Sequence, residues 1–453
     1  MGSYYLQINT EEPEVIKPAS PTKKCALYLN NFDQQVFFHV EMLLVYDVGH
    51  GEYSIQLGDD LRDDGGAMIE RLREALSKAL VAYYPAAGRY RINEEEARLE
   101  IDCGEQGALL AVARSSSSIA ELGDLDAPNP EFRRLLLYPK SVKSMEEVPL
   151  LTVQVTRFRC GGFILGFFIS HVVMDGISIS DFLHDFATIT RGEAVELAPR
   201  DPDRSCFRHR SPPLVTRDHP ELAALPATPA KLLFNPSSWY DATAPLPIAF
   251  KTFSFTARDL AALKSRALAE GSLNSCSTFQ ALTAHVWRAR TAAMGLDPAA
   301  ISKLFVVISI RDKLKAPPHF PERFLGNGVI AAPCVNTTAA ELRENSLTFA
   351  VRRIQETIAS VDEGYIRSEL DWCHVKGHGI IDLPGGMIIT TWSRLGFDSV
   401  DFGCGRPAYV AAPVNDRREY VLVLSSCKND GGVNLFMGMD FDKMAKLEAL
   451  LKV

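Results

Sequence analysis

The uninterrupted apolar run at residues 163–169, followed by Ser170 and His171, constrains the fold of this chain more than any other segment. A surface strand would alternate apolar and polar residues, so the run predicts a strand that is buried on both faces. It places the His171 imidazole on a rigid interior element, where a group that titrates near neutral pH suits proton transfer. Gly176 then permits a tight turn. The spacing of the next apolar residues predicts a helix that leaves this site: Ile177, Ile179, Phe182, Leu183 and Phe186.

His171 and Asp175 form a His-x-x-x-Asp spacing, which carries little weight alone because the chain contains a second copy. That copy, His378 and Asp382, lies in a stretch punctuated by glycine and proline, with no strand leading into it. We therefore take His171 as the candidate catalytic histidine and His378 as a chance match. The alternative for His171 is a structural histidine that is buried in the core.

Length, charge and cysteine usage exclude several classes of function. The 453 residues are enough for two or three domains with sizeable cores. The formal net charge of -8 and the lack of a dense lysine and arginine run argue against a nucleic-acid partner. The nine cysteines form no Cys-x-x-Cys pair, so we expect neither a metal site nor a disulfide framework.

The N-terminal residues do not have the pattern of a signal peptide, because no basic region precedes an apolar one. Gly2 would suit myristoylation, but Leu6 stands where that signal needs serine or threonine. No apolar span approaches the roughly 18 residues that cross a bilayer. We expect a cytoplasmic monomer that acts on small molecules and has no membrane partner.

Local patterns predict two α/β units joined by a connection. In the first unit we expect an extended lead-in at 11–24, a turn at 30–33 and a helix at 67–84. Strands are expected at 37–46, 99–102 and 108–113, and residues 150–159 should form a hairpin with the strand that ends at His171. Residues 195–247 are rich in proline and lose apolar periodicity, which is typical of a crossover between domains. The predicted domains are therefore 1–194 and 248–453.

The second unit repeats the mixture of strands and helices. Strands are predicted at 249–255, 304–310, 387–391, 421–425 and 433–439, and helices at 257–269, 277–294, 340–361 and 441–451. No repeat of 20 to 50 residues is visible, so the chain is not a solenoid.

Three sequence blocks resemble those of the plant BAHD acyl-CoA-dependent acyltransferases. They are Tyr-Pro-Ala-Ala-Gly-Arg at 84–89, His-Val-Val-Met-Asp-Gly at 171–176 and Asp-Phe-Gly-Cys-Gly at 401–405. With shorter matches between them, the resemblance covers nearly the whole chain. It implies two chloramphenicol-acetyltransferase-like α/β domains, each a mixed β-sheet with flanking helices, and an active site in a tunnel at their interface.

Two further segments, 364–368 and 389–397, are most similar to hydroxycinnamoyltransferases that act on ω-hydroxy fatty acids and long-chain alcohols. The resemblance implies transfer of a hydroxycinnamoyl group from coenzyme A to an alcohol, such as an ω-hydroxy fatty acid, a fatty alcohol or a shikimate-like acid. Acyl-CoA is then a co-substrate, and no permanently bound cofactor is expected. The alternatives are an N-acyltransferase for an amine or polyamine, an acyl-CoA thioesterase and a noncatalytic binding module.

The resemblance also implies roles at the central motif. His171 would be the general base that takes the proton of the acceptor hydroxyl. Ser170 is a poor nucleophile candidate, because no Gly-x-Ser-x-Gly elbow is present and adjacent strand residues point to opposite faces. Asp175 would pair with Arg311 and fix the loop that carries the histidine.

The late block at 401–405 departs from the family's usual Asp-Phe-Gly-Trp-Gly. Asp401, with Gly403 and Gly405, is expected to hold a loop at the domain interface. Cys404 replaces the usual tryptophan, and we expect it to line the acceptor pocket together with Trp392. A smaller side chain there would widen the pocket.

Coenzyme A carries phosphate groups, and helix N-termini bind phosphate through their free N–H groups. Ser277 and Thr278, at the start of a predicted helix, are therefore candidate CoA-binding residues. The alternative is an ordinary helix cap. Gly326 and Asn327 are weaker candidates for the same role.

Overall fold

The computed structural model describes residues 6–47, 66–96, 98–127, 129–139, 142–193, 197–224, 248–377, 379–381, 385–413, 420–426 and 431–453. The second motif copy, His378 and Asp382, lies outside these residues, as does the part of the predicted crossover at 225–247.

The first unit is built around the strand Phe163–Ser170, which is buried along its whole length as predicted. It pairs antiparallel with Leu151–Phe158, which confirms the predicted hairpin, and with His39–Tyr46. The sheet runs in the order Ile8–Thr10, Ala108–Ser115, Leu151–Phe158, Phe163–Ser170, His39–Tyr46 and Tyr409–Ala411, and Glu14–Ile16 also pairs with Ala108–Ser115. We call it the first sheet.

Two predicted helices cover one face of the first sheet, Gly66–Ala82 and Gly176–Thr190. Their apolar residues belong to a single core with the sheet, and the Tyr83 and Phe182 rings meet edge to face at 5.2 Å. A small sheet beside this core joins Ala26–Tyr28, Arg98–Asp102 and Arg89–Asn93. The 3₁₀ helices of this unit are Tyr84–Ala87, Ile119–Leu122, Pro130–Leu135 and Met145–Glu147.

The second unit has its own sheet, which we call the second sheet. Its strands run in the order Ala249–Phe255, Val433–Met439, Tyr420–Ser425, Met387–Thr391, Leu304–Ser309 and Val329–Cys334. The helices packed into its core are Ala257–Leu268, Thr278–Met294, Ala339–Glu344, Leu347–Ser360 and Phe441–Leu450. Both units are therefore mixed sheets with flanking helices, and the predicted fold class is confirmed.

Several local predictions were wrong. The predicted turn at 30–33 is the start of a short helix, Asn31–Gln35, because Asn30 and Asp33 form a reciprocal capping box. The predicted helix 340–361 is two helices, because Asn345 is extended and Ser346 caps the second one. The strand Val329–Cys334 and the helix Glu363–Lys376 were not predicted.

The described part of the crossover contains regular secondary structure. It contains the 3₁₀ helix Ser205–Phe207 and the strand Leu222–Ala224, which pairs with Gly379–Ile381 after the helix Glu363–Lys376. Strands of three residues are too short for apolar alternation to reveal them. The crossover is thus fastened to the second unit by a two-stranded sheet.

One strand from the C-terminal part of the chain joins the sheet of the first unit. Tyr409–Ala411 belongs by sequence to the predicted second domain, yet it pairs antiparallel with His39–Tyr46 at the edge of the first sheet. The sequence did not predict this exchange. Within the described residues, no helix is long and apolar enough to cross a membrane.

Candidate active site

A cavity of 670 Å³ lies between the two sheets, where the tunnel was expected. Its lining comes from the first sheet and the residue before its strand at 38–42, from the second sheet at residues 307–309, 388, 390 and 391, and from Trp392 and His171. Most of the lining is apolar, including Phe32, Val36, Phe38, Val40, Met42, Phe168, Ile177, Ile179, Val307, Ile308, Ile330, Ile388, Leu395, Phe397 and Leu422.

His171 follows the last residue of the buried strand and reaches the cavity wall, as the sequence predicted. Its backbone N–H donates to the carbonyl oxygen of Phe38 at 2.8 Å, and the Phe38 ring centroid lies 4.8 Å from the imidazole centroid. The side chain is thus positioned by the first sheet while it faces the space between the sheets.

Asn327 contacts the imidazole directly: its Oδ1 lies 2.9 Å from His171 Nδ1. Its Nδ2 lies 2.8 Å from the backbone oxygen of His171 and 2.8 Å from Asp33 Oδ1. Because those oxygens accept, the amide nitrogen must face them and the amide oxygen must face the ring. Nδ1 therefore carries a proton, and in a neutral imidazole Nε2 would be the nitrogen without one.

From the sequence, Asn327 was a candidate only for coenzyme A binding, and its contact with His171 was not predicted. Its position between Gly326 and Gly328 predicts a turn, and this pattern says nothing about what the Asn327 side chain contacts.

The predicted ion pair between Asp175 and Arg311 is present and joins the two units. Arg311 donates from Nη1 to Asp175 Oδ2 at 2.7 Å and from Nη2 to Oδ1 at 2.9 Å. The carboxylate also accepts the backbone N–H of Gly328 and that of Ser178, so it caps the helix Gly176–Thr190. A Cβ at Gly328 would lie 2.8 Å from Arg311 Nη1, so a larger residue there would displace the guanidinium that binds Asp175.

The late block forms a compact turn around its own aspartate. Asp401 Oδ1 accepts the backbone N–H groups of Gly403, Cys404 and Gly405 at 2.7, 3.1 and 2.8 Å. Gly403 and Gly405 have φ angles of 95° and 85°, a backbone conformation that favours glycine. Arg191 donates to the backbone oxygen of Asp401 rather than to its carboxylate.

Cys404 does not lie among the described residues that line the cavity, although the sequence led us to expect it there. The turn directs its side chain into the core of the first unit, where it is 1% exposed. Burial, together with the charge of Asp401, raises the pKa of its thiol to about 12. Trp392, by contrast, does line the cavity and meets Phe397 edge to face at 5.6 Å.

Ser277 and Thr278 lie away from the described cavity lining. The Ser277 hydroxyl accepts the N–H of Gln280 at 3.1 Å, and the Gln280 side chain accepts the N–H of Ser277 at 3.0 Å. This capping box favours the alternative of an ordinary helix cap, although an exposed helix N-terminus still suits a phosphate.

A cluster that the sequence did not predict lies beside the crossover: His219, Glu221 and Glu369 are buried and bring their ligand-type atoms within 4.8 Å of one another. The imidazole nitrogens of His219 contact Glu221 at 2.9 Å and Ser368 at 3.0 Å. Burial and the charge of Glu221 raise the pKa of Glu369 to about 8. Because both imidazole nitrogens already have partners, we interpret the cluster as a hydrogen-bonded network rather than a metal site.

Comparison with known proteins agrees with this architecture. The sequence model of a family described as the Transferase family matches residues 6–451. The chain is 32% identical to an omega-hydroxypalmitate O-feruloyl transferase of Arabidopsis thaliana, over 96% of this chain and 90% of that protein. It is 30% identical to a fatty alcohol:caffeoyl-CoA acyltransferase of Arabidopsis thaliana, over 100% and 99% of the two chains. Among solved structures, that of vinorine synthase aligns with a TM-score of 0.71 and 21% identity over 98% of both chains.

Proposed function

This chain belongs to the Transferase family of acyl-transferring enzymes, and from that premise we propose that it moves a hydroxycinnamoyl group from coenzyme A to a long-chain alcohol. The observation that carries the proposal is the His171 imidazole at the wall of an apolar cavity between the two sheets. The names of the two relatives supply the acyl group and the acceptor class.

In the proposed reaction, His171 Nε2 takes the proton of the acceptor hydroxyl as its oxygen attacks the thioester carbonyl carbon. The tetrahedral intermediate then collapses, the carbon–sulfur bond breaks, and the thiolate of coenzyme A takes the proton from the imidazolium. The products are an ester and free coenzyme A. No enzyme nucleophile is needed, because the acceptor attacks directly.

The negative charge that develops on the carbonyl oxygen needs hydrogen-bond donors close to it. Ser309 and Thr390, which carry hydroxyl groups, line the same cavity as His171. We assign them as the candidate donors to this oxygen.

The charges around the cavity favour a neutral acceptor. Glu41 and Asp175 are the carboxylates in its described lining, and each has a cationic partner: Arg133 Nε lies 3.6 Å from Glu41, and Arg311 binds Asp175. Each carboxylate of the described lining is therefore already paired with a cation and is a poor partner for a protonated amine. The described lining also holds no lysine or arginine that would bind the carboxylate of a shikimate-like acid.

An amine acceptor would need carboxylates facing the cavity, and three acidic residues of the second unit, Asp362, Glu363 and Asp371, are engaged elsewhere. Asp362 pairs with Arg217, and Asp371 pairs with Arg210. Glu363 accepts the backbone N–H groups at residues 315 and 316. None of the three belongs to the described cavity lining, which supports O-acylation over polyamine acylation.

An acceptor panel tests the proposal. The protein is incubated with feruloyl-CoA, and free thiol is followed with 1-hexadecanol, 16-hydroxyhexadecanoic acid, shikimate, spermidine or no acceptor. We expect thiol release that depends on 1-hexadecanol, with the ester identified by mass spectrometry. Release at the same rate without an acceptor would identify a thioesterase, and release only with spermidine would identify an N-acyltransferase.

A further inference from the structure

We propose that Asp33 and Arg204 are positioning residues that hold His171 in the tautomer required for catalysis, acting through Asn327. The proposal rests on the proposed role of His171 as general base. It joins three parts of the chain: the first unit, the crossover and the loop that follows Leu304–Ser309.

The contact at His171 depends on which way the Asn327 amide faces. Its nitrogen donates to the backbone oxygens of His171 at 2.8 Å and Val172 at 3.2 Å, and to Asp33 Oδ1 at 2.8 Å. If the amide turned over, its oxygen would face these oxygens and its nitrogen would face His171 Nδ1. The ring would then have to accept at Nδ1 and carry its proton on Nε2, which removes the base from the cavity.

Asp33 is the charged member of the three groups that orient the amide. Its carboxylate is fully buried, and Oδ2 accepts the backbone N–H of Asn30 at 2.9 Å and Arg204 Nε at 2.7 Å. Oδ1 is left to accept from Asn327. The capping box of the helix Asn31–Gln35 thus fixes the carboxylate in one orientation.

Arg204 is the cation that binds this carboxylate in the interior. Its side chain is 1% exposed, and Nη1 donates to the backbone oxygen of Pro202 at 2.6 Å. A buried carboxylate that loses its cation takes up a proton more readily. Protonated at Oδ1, Asp33 would present a donor to the amide nitrogen of Asn327 and favour the reversed amide.

The isosteric substitution Asp33→Asn separates orientation from packing. The single amide oxygen of the new side chain is expected to occupy the Oδ2 position, because two donors, Asn30 and Arg204, meet there. The new amide nitrogen then faces the amide nitrogen of Asn327, and the two donors repel each other. We expect part of the His171 population to shift to the tautomer with its proton on Nε2.

Two measurements read this change. The first is kcat with feruloyl-CoA and 1-hexadecanol, which we expect to fall about 10²-fold in Asp33→Asn, within the usual worth of a general base, while KM for feruloyl-CoA changes little. The second is ¹⁵N NMR of protein labelled at histidine, which distinguishes protonated from unprotonated ring nitrogens. The His171 signals are identified by their absence from His171→Gln.

The matched control is Asp371→Asn. Asp371 is also a fully buried carboxylate paired with an arginine of the crossover, Arg210, at 2.7 Å, but it accepts from Arg210 and Leu214 rather than from Asn327. We expect its substitution to lower stability without changing the His171 tautomer. A wild-type spectrum with the proton on Nε2 would overturn the proposal, as would an Asp33→Asn protein with an unchanged tautomer, whatever its activity.

If Asp33→Asn does not fold, a second pair of variants tests the same proposal. Arg204→Lys keeps a positive charge beside Asp33 and should keep the tautomer, whereas Arg204→Met should shift it. A folded Arg204→Met protein with the wild-type tautomer would contradict the proposal. If His171→Gln retained full activity, the proposed function would fail instead, and the NMR result would still decide whether Asp33 and Arg204 orient the ring.

Discussion

Asp175 and Asp401 each belong to a short motif, and the sequence suggested a supporting role for both. The two carboxylates nevertheless bind partners in different parts of the molecule. Asp175 binds Arg311 and Gly328 of the second unit, so it ties the loop after His171 to the opposite side of the cavity. Asp401 satisfies the backbone of its own turn. Similar motifs can therefore fix either the relation between two units or the shape of a single loop.

The difference extends to the neighbours of each motif. The Asp175 region lies beside the cavity, and its partners come from both sides of it. The late block packs into the first core, where Phe402 contacts the rings of Tyr46 and Phe186 at 6.0 and 5.1 Å. We therefore expect changes at the first motif to alter catalysis and changes at the second to alter stability.

The largest expected effect is at His171. His171→Ala should lower kcat by about 10²- to 10⁴-fold, the usual worth of a positioned general base, while the protein stays folded. Steady-state kinetics with feruloyl-CoA and 1-hexadecanol measure this change. The matched control is His184→Ala, because His184 contacts Ser399 beside the late block at 3.2 Å. Equal losses in both variants would show that the comparison of the two regions is wrong.

Asp175→Asn should follow, with losses in both stability and activity. Removing one charge of a buried ion pair costs about 3–5 kcal/mol, and Asp175 is 1% exposed at its side chain. Denaturant unfolding of the single and double variants at positions 175 and 311 gives the coupling energy. A double-mutant cycle without coupling would mean that this pair does not support the loop after His171.

The central strand, the helix after it and the Asp175–Arg311 pair could be predicted, because each leaves a local pattern or belongs to a family motif. Asn327, Asp33 and Arg204 could not be predicted as one network, because they come from three separate segments that meet only after folding. The direction of the Cys404 side chain could not be predicted from the sequence either. It depends on two positive-φ glycines and on an edge strand, Tyr409–Ala411, that is too short to leave a pattern.

A smaller effect is expected for Cys404→Trp, which restores the usual family residue. Because Cys404 is buried in the first core, the larger ring should overpack that core and cost about 1–3 kcal/mol of stability. Its influence on catalysis should be equal for all acceptors, since the side chain is not among the described cavity residues. Thermal unfolding and kcat/KM for 1-hexadecanol and a short alcohol test this expectation. A selective loss for the longer alcohol would restore the original hypothesis that position 404 shapes the pocket.

The smallest effect is expected for Asp401→Asn, which tests whether the second motif is self-contained. The asparagine oxygen can still accept the three N–H groups of the turn, and Arg191 is unaffected because it donates to the backbone oxygen. What is lost is the negative charge on the acceptor, and a charged acceptor contributes about 1 kcal/mol more than a neutral one. We therefore expect a stability loss of about that size, measured by denaturant unfolding, with kcat unchanged. If Asp401→Asn instead lowered kcat as much as Asp175→Asn, the late block would have to act on the cavity through the first core. The contrast between a motif that joins two units and one that shapes a single loop would then no longer hold.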